Sequence, residues 1–231
     1  MQTIAFYGQF IKKGDLVFDV GANIGMYAEM FLSLGAHVIA FEPNPDLIPV
    51  LHRVRPKSSV TVEWTGLGGA VGEADLSICA QDGLSTISSD RMNTLKSDKR
   101  YDGIRSTRTA RVPVTTLDAM IAKYGTPAFI KIDVEGFERE VLAGLSALPS
   151  ALSFEFQSDS LELAISCIHQ KCFAPSARFN LILGNPLGWK PRPIEFALDQ
   201  WVTAEVLDAL LREGRIVEGV AYGEIFARAT E

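Results

Sequence analysis

The stretch VFDVGANIG, residues 17–25, decides the fold. Its first half is apolar, its second is a turn bracketed by Gly21 and Gly25, and a helical pattern over 24–34 follows. A strand that runs through a glycine turn into a helix opens a doubly wound α/β sheet, and it aims the helix's first amides into the crevice above the strand. A dinucleotide site there requires G-x-G-x-x-G, so that backbone can approach a pyrophosphate. Gly21, Asn23 and Met26 stand at those positions, so two of the three glycines are missing. A ligand without phosphates, such as an amino-acid moiety with its own carboxylate, still gains from the exposed amides.

Working outward, short apolar runs at 16–20, 37–41, 60–64, 128–134 and 151–156 read as buried parallel strands. Helical patterns at 24–34, 46–54, 117–124, 137–145 and 160–170 alternate with them, which predicts a parallel sheet covered on both faces. The second strand ends in FEPN, 41–44, and a carboxylate at Glu42 can accept both hydroxyls of a ribose or cap the helix that begins near Pro45. Asp19, just before the glycine turn, either contacts a ligand or ties the loop together by accepting amide hydrogens. Two regions break the alternation. Residues 66–79 look like a hairpin turning at Gly72 and Glu73, and 85–111 is a polar stretch with seven basic residues against three acidic ones. Near the C-terminus, strands at 179–183 and 221–227 flank a helix near 204–212, and are expected to pair as an antiparallel edge.

Length and composition restrict the reading further. A chain of 231 residues, 47% hydrophobic and 22% charged, predicts one globular domain, residues 1–231, with an insertion at about 66–111. The net charge of −6 argues against a nucleic-acid partner, because phosphate binding draws on clustered Lys and Arg. Cys79, Cys167 and Cys172 form no C-x-x-C pair and read as buried thiols. The N-terminal stretch lacks the basic start and continuous apolar run of a signal peptide, and no segment is long enough to span a bilayer, so a cytoplasmic location is expected.

Four ordered stretches, FDVGANIG (18–25), FEPN (41–44), VTTLD (114–118) and IKIDVEGFE (130–138), with YGEIFA (222–227) as a tail, make the chain similar to the FkbM-type methyltransferases. The resemblance implies a Rossmann-like class I methyltransferase: a doubly wound, mostly parallel seven-stranded sheet with an antiparallel edge. It implies S-adenosylmethionine as cofactor, and methyl transfer to a hydroxyl of a sugar, glycolipid or natural-product small molecule. Carried over, Gly21, Asn23 and Gly25 line the methionine end and Glu42 the ribose. Asn44 and Gly68 lie at the adenine edge, and Asp133 beside the methionine part and the transferred methyl. The GLGG stretch at 66–69 departs from the pattern in having no acid after the glycine, so adenine recognition there would rest on backbone groups.

Methyl transfer is an in-line displacement, for which alignment and exclusion of water matter most. A carboxylate that takes the hydroxyl proton would help, and the candidates are Asp133, Glu135 and Glu155. Asp133, Glu135 and Glu138 are able to hold Mg²⁺ in principle, but no metal is expected. His37, His52 and His169 fall away from the expected site. Lys131, inside an apolar strand, either reaches solvent or pairs with an acid. The basic stretch after Ser85 and Thr86 is either a lid for an anionic acceptor or a solvated insertion. Asn180, Trp189, Lys190, Arg192 and Trp201 either line a sugar site or plug the core. Two competing classes stand beside this reading: an NAD(P)-dependent oxidoreductase, and a methyltransferase-like fold that binds without catalysis.

Overall fold

The computed structural model describes residues 2–54, 56–79, 85–97, 106–184 and 194–230. In chain order the elements are α1 (Gln2–Tyr7), β1 (Leu16–Val20), α2 (Met26–Ser33), β2 (His37–Phe41), α3 (Ile48–Leu51), β3 (Val60–Glu63), β4 (Gly66–Leu67), β5 (Gly72–Cys79), α4 (Ser89–Ser97), β6 (Ser106–Thr115), α5 (Leu117–Tyr124), β7 (Phe129–Ile132), α6 (Glu138–Ala143), β8 (Ala151–Gln157), α7 (Leu161–Ile168), β9 (Arg178–Leu183), α8 (Ala204–Glu213) and β10 (Tyr222–Arg228). Seven strands form one sheet in the order β3-β2-β1-β7-β8-β10-β9. Every neighbouring pair is parallel until β10, which runs antiparallel to both β8 and β9.

Alternating side chains send each strand's residues to two different cores. Phe18, Ile130, Leu152 and Phe154 face the layer of α5, α6, α7 and α8, whereas Val17, Val38, Phe129 and Phe226 face α1 and α2. The second face is aromatic: Tyr7 packs edge-on against Phe31 and Phe129, and Phe10 stacks on Phe226. Cys79, Cys167 and Cys172 are free, buried thiols. No helix among the described residues is long and apolar enough to cross a membrane.

The insertion is built differently from its sequence pattern. Residues 66–79 do not close on themselves as a hairpin; β4 and β5 both pair with β6, giving a separate three-stranded sheet in the order β4-β6-β5. The reading put the turn at Gly72 and Glu73, but the break falls at 68–71, and Gly72 already pairs with Val114. The stretch taken as a polar loop contains α4 and most of β6, a ten-residue strand whose Ala110, Val112 and Val114 alternate with Thr109, Arg111 and Pro113. Polar residues on the solvent side of a half-covered strand hid its period of two.

Candidate functional site

Parallel strands deliver their C-terminal ends to one edge of the sheet, and the loops after β1, β2, β7 and β8 meet there around a cavity of about 330 Å³. Small-molecule sites fall in the range of roughly 300–1,000 Å³. Gly21, Asn23, Glu42, Asn44, Asp133, Glu135 and Glu155 are on its wall, together with Tyr27 and Thr86. Asp19, Gly25 and Gly68 are not. Asp19 is 1% exposed and sits beneath the glycine turn, bonded to the Ala28 amide at the start of α2. Gly25 caps α2, against Leu51 and Val54. Gly68 donates its amide to Thr115 and lies against Val114 and Phe137.

The turn needs its first glycine because two loops nearly touch. A Cβ at Gly21, φ +82°, would lie 1.8 Å from the Asp133 carbonyl oxygen. Glu42 is buried and joins the loops: one carboxylate oxygen accepts the Asn23 amide and the other the Asn44 amide, both at 2.8 Å. Burial pushes the Glu42 carboxyl up, and those two amides partly offset it. Each oxygen keeps a second lone pair on the cavity side. The side-chain oxygen of Asn23, itself held at φ +51°, is buried without a hydrogen-bond partner.

Three carboxylates converge across the cavity from the turn. Asp133, Glu135 and Glu155 bring one oxygen each to within 4.8 Å of the others. Glu138, named with them from sequence, instead turns back to accept the amides of Val134 at 3.2 Å and Gly136 at 3.1 Å. The set that could hold a cation therefore contains Glu155 in its place. Glu135 occupies the left-handed region, φ +53°, a conformation that costs a non-glycine residue about 1–3 kcal/mol and recurs at functional sites. Its carbonyl accepts the Thr86 hydroxyl at 2.8 Å, and its carboxylate meets Gln157 at 3.3 Å and Arg91 at 3.6 Å. Burial and the neighbouring Asp133 push the Glu135 carboxyl up to about 8, against the pull of Arg91. Burial, Asp133 and Glu135 hold Glu155 well above its usual range.

Beneath the acids lies a polar island in the aromatic face. Lys131 is 0% exposed; its ammonium lies 3.2 Å from Asp133, 3.5 Å from Glu224, and 4.8 Å above the Tyr27 ring. The hydroxyls of Tyr7 and Tyr27 donate to the two oxygens of Glu224, at 2.8 and 2.7 Å. Burial alone would lower the Lys131 ammonium, but Asp133, Glu224 and Glu155 outweigh it and raise it. Sequence reasoning left Lys131 open between solvent and an acid; it pairs with two. Glu224, Tyr7, Tyr27 and Arg91 were not singled out, although an acid between apolar neighbours in the 222–227 strand was the available signal.

Other candidates lie elsewhere. Asn180 is buried and bonded to Leu181 and Leu198, and Trp201 packs on Phe196 and Arg228, so both serve the core. His169 pairs with Asp208 on the far helices at 2.9 Å. In the basic stretch, Arg108 pairs with Asp46 at 2.6 Å, and Arg111 with Glu73 and Asp75. Trp189, Lys190, Arg192, Lys99, Arg100 and Arg105 lie outside the described residues, as does the side chain of Lys96.

Comparison with known proteins adds an independent line. The family profile described as "Methyltransferase FkbM domain" matches residues 19–163. "Hexuronic acid methyltransferase AglP" of Haloferax volcanii is 30% identical over a match covering 62% of this chain and 55% of that protein. "31-O-demethyl-FK506 methyltransferase FkbM" of Streptomyces tacrolimicus is 31% identical, with 60% and 62% covered. The chain thus spans little more than half the length of these curated relatives. Among solved structures, precorrin-6y C5,15-methyltransferase from Geobacter metallireducens GS-15 aligns at a TM-score of 0.47 and 10% identity, over 99% of this chain and 86% of that one.

Proposed function

Because the chain belongs to the FkbM methyltransferase family, and its sheet has the class I methyltransferase strand order, we propose that it transfers a methyl group from S-adenosylmethionine to a hydroxyl oxygen of a sugar or natural-product acceptor. One observation carries the reading: a single cavity joins the glycine turn and Glu42 on one side to three clustered carboxylates on the other. The residues present suit that cofactor. The partnerless Asn23 oxygen and the carboxylates suit a ligand that brings an ammonium and a sulfonium, and Glu42 offers acceptors to ribose hydroxyls. When bound, the cofactor supplies an electrophilic methyl on positively charged sulfur. Asp133, fixed by Lys131, would hold that positive charge. Glu135, whose carboxyl burial and Asp133 push up to about 8, takes the acceptor's proton once it is ionised, and Glu155 stands beside it.

Lys131 and Arg91 already oppose the three acids, so we read the cluster as working without a metal. Titration with S-adenosylhomocysteine tests the whole reading. Micromolar binding, about tenfold or more weaker in Glu42→Ala and unchanged by EDTA, is expected. No heat with S-adenosylhomocysteine but clear binding of NADH would return the turn to the dinucleotide class, and silence for both would favour a non-catalytic fold.

A further inference from the structure

A second cavity, of about 440 Å³, opens beside the first, between α4, the loop after β7, the end of β8 and the start of α7. The two share Ile87, Phe137 and Glu155 as a common wall. Gln157 and Arg91 face the second cavity and hold the carboxylate of Glu135, which faces the first. An oxygen that enters from the second cavity therefore meets Glu155 and Glu135 before it reaches the cofactor side. Building on the methyltransferase reading, we propose that this second cavity is the acceptor pocket and that it takes an uncharged polyol, a glycoside with adjacent free hydroxyls, in preference to a uronate or a phosphorylated sugar.

The charge of the wall supports the preference. Five acids, Asp90, Glu138, Glu140, Glu155 and Glu162, line it with two arginines, Arg91 and Arg139, and Glu162 is itself paired with Arg212 at 2.8 Å. Each arginine has an acid beside it: Glu135 lies 3.6 Å from Arg91, whose Nε and Nη1 are buried, and Glu140 lies 2.7 Å from Arg139. Glu135 and Glu155 already repel one another and Asp133, which holds both carboxyls up. A further anion would add to that repulsion, whereas a hydroxyl would not. Hydroxyl recognition is provided for. Burial and the neighbouring acids hold the Glu155 carboxyl well above its usual range, which favours the form that donates a hydrogen bond, and an oxygen of the Glu135 carboxyl accepts one. The Gln157 side-chain oxygen, buried without a hydrogen-bond partner, accepts another. Adjacent hydroxyls match that alternation of donor and acceptor, and the Phe137 and Phe156 rings offer faces to ring C–H groups.

The test measures binding of methyl β-glucopyranoside, methyl β-glucuronide and glucose 6-phosphate by ligand-observed NMR, with S-adenosylhomocysteine present and its own affinity measured first. The neutral glycoside should bind at least tenfold more tightly than either anion. Gln157→Leu should abolish that binding while leaving the S-adenosylhomocysteine affinity unchanged, which also shows that the variant folds. Tighter binding of the uronate or the phosphate, binding of no sugar, or indifference to Gln157→Leu overturns the proposal. Sugar binding that survives where S-adenosylhomocysteine fails would count against the methyltransferase reading alone and leave the pocket assigned.

Discussion

Glu135 combines three properties that few carboxylates share: a left-handed backbone, a half-buried side chain on the first cavity held by Gln157 and Arg91 from the second, and a carboxyl pushed up to about 8. A base is most effective when it titrates near the working pH, and general base catalysis contributes about 10²–10⁴-fold. Glu135→Gln is therefore expected to lower kcat by roughly that factor, with the affinity for S-adenosylhomocysteine changed less than about threefold. The acidic limb of the kcat–pH profile, centred near 8, should vanish in the variant. An intact limb would move the proton-accepting role to Asp133 or Glu155. Gly21 offers the converse case, in which chemistry plays no part: the Asp133 carbonyl occupies the space a side chain needs.

β7 carries an unusual alternation, with Phe129 and Lys131 on one face and Ile130 and Ile132 on the other. Lys131 is compatible with the aromatic layer only because Glu224 arrives from β10 and Asp133 from the strand's own end. Removing one partner of a buried ion pair costs about 3–5 kcal/mol, since the other charge stays buried. Lys131→Met should lose about that much by urea denaturation, and Glu224→Gln in the same chain should recover a substantial part. A loss under about 1 kcal/mol would show the pair to be dispensable. The central strands could be read from sequence because apolar runs between glycine and proline signals leave little choice of register; β1, β2 and α5 fall at the expected boundaries. β6 could not, since half of its side chains face solvent and its pairing with β4 and β5 is non-local. The site divides in the same way. Residues in loops with glycine or proline signals, such as Asn23, Glu42 and Asp133, could be named as candidates, whereas Tyr7, Glu224 and Arg91 come from distant elements that only the folded chain brings together.

Across the molecule, several acids are buried with their protons. Burial holds Asp19 and Glu138 at about 7 and Glu135 at about 8. In the unfolded chain each would release its proton near pH 4. Between about pH 4 and pH 8 the folded state thus binds more protons than the unfolded one, so stability falls as pH rises. At about 1.4 kcal/mol per pH unit, one such group alone costs roughly 3 kcal/mol between pH 5 and pH 7. Urea midpoints of the free protein should decline over that range. S-adenosylmethionine, which brings a sulfonium charge, should release protons on binding and bind more tightly at pH 8 than at pH 6. A flat or rising stability curve would mean that these acids ionise without penalty.

The place of β10 in the sheet sets an order of assembly in time. It follows β9 in the chain but lies between β8 and β9, so β9, bonded until then to Ala197 and Val202, has no strand of the main sheet beside it until β10 has been synthesised. Glu224 travels on that last strand, and until it docks Lys131 has lost one of its two counter-charges and Tyr7 its acceptor. A nascent chain on the ribosome would therefore hold the glycine turn and β7 long before the floor of the cavity closes, and a complete cavity forms only once β10 has emerged.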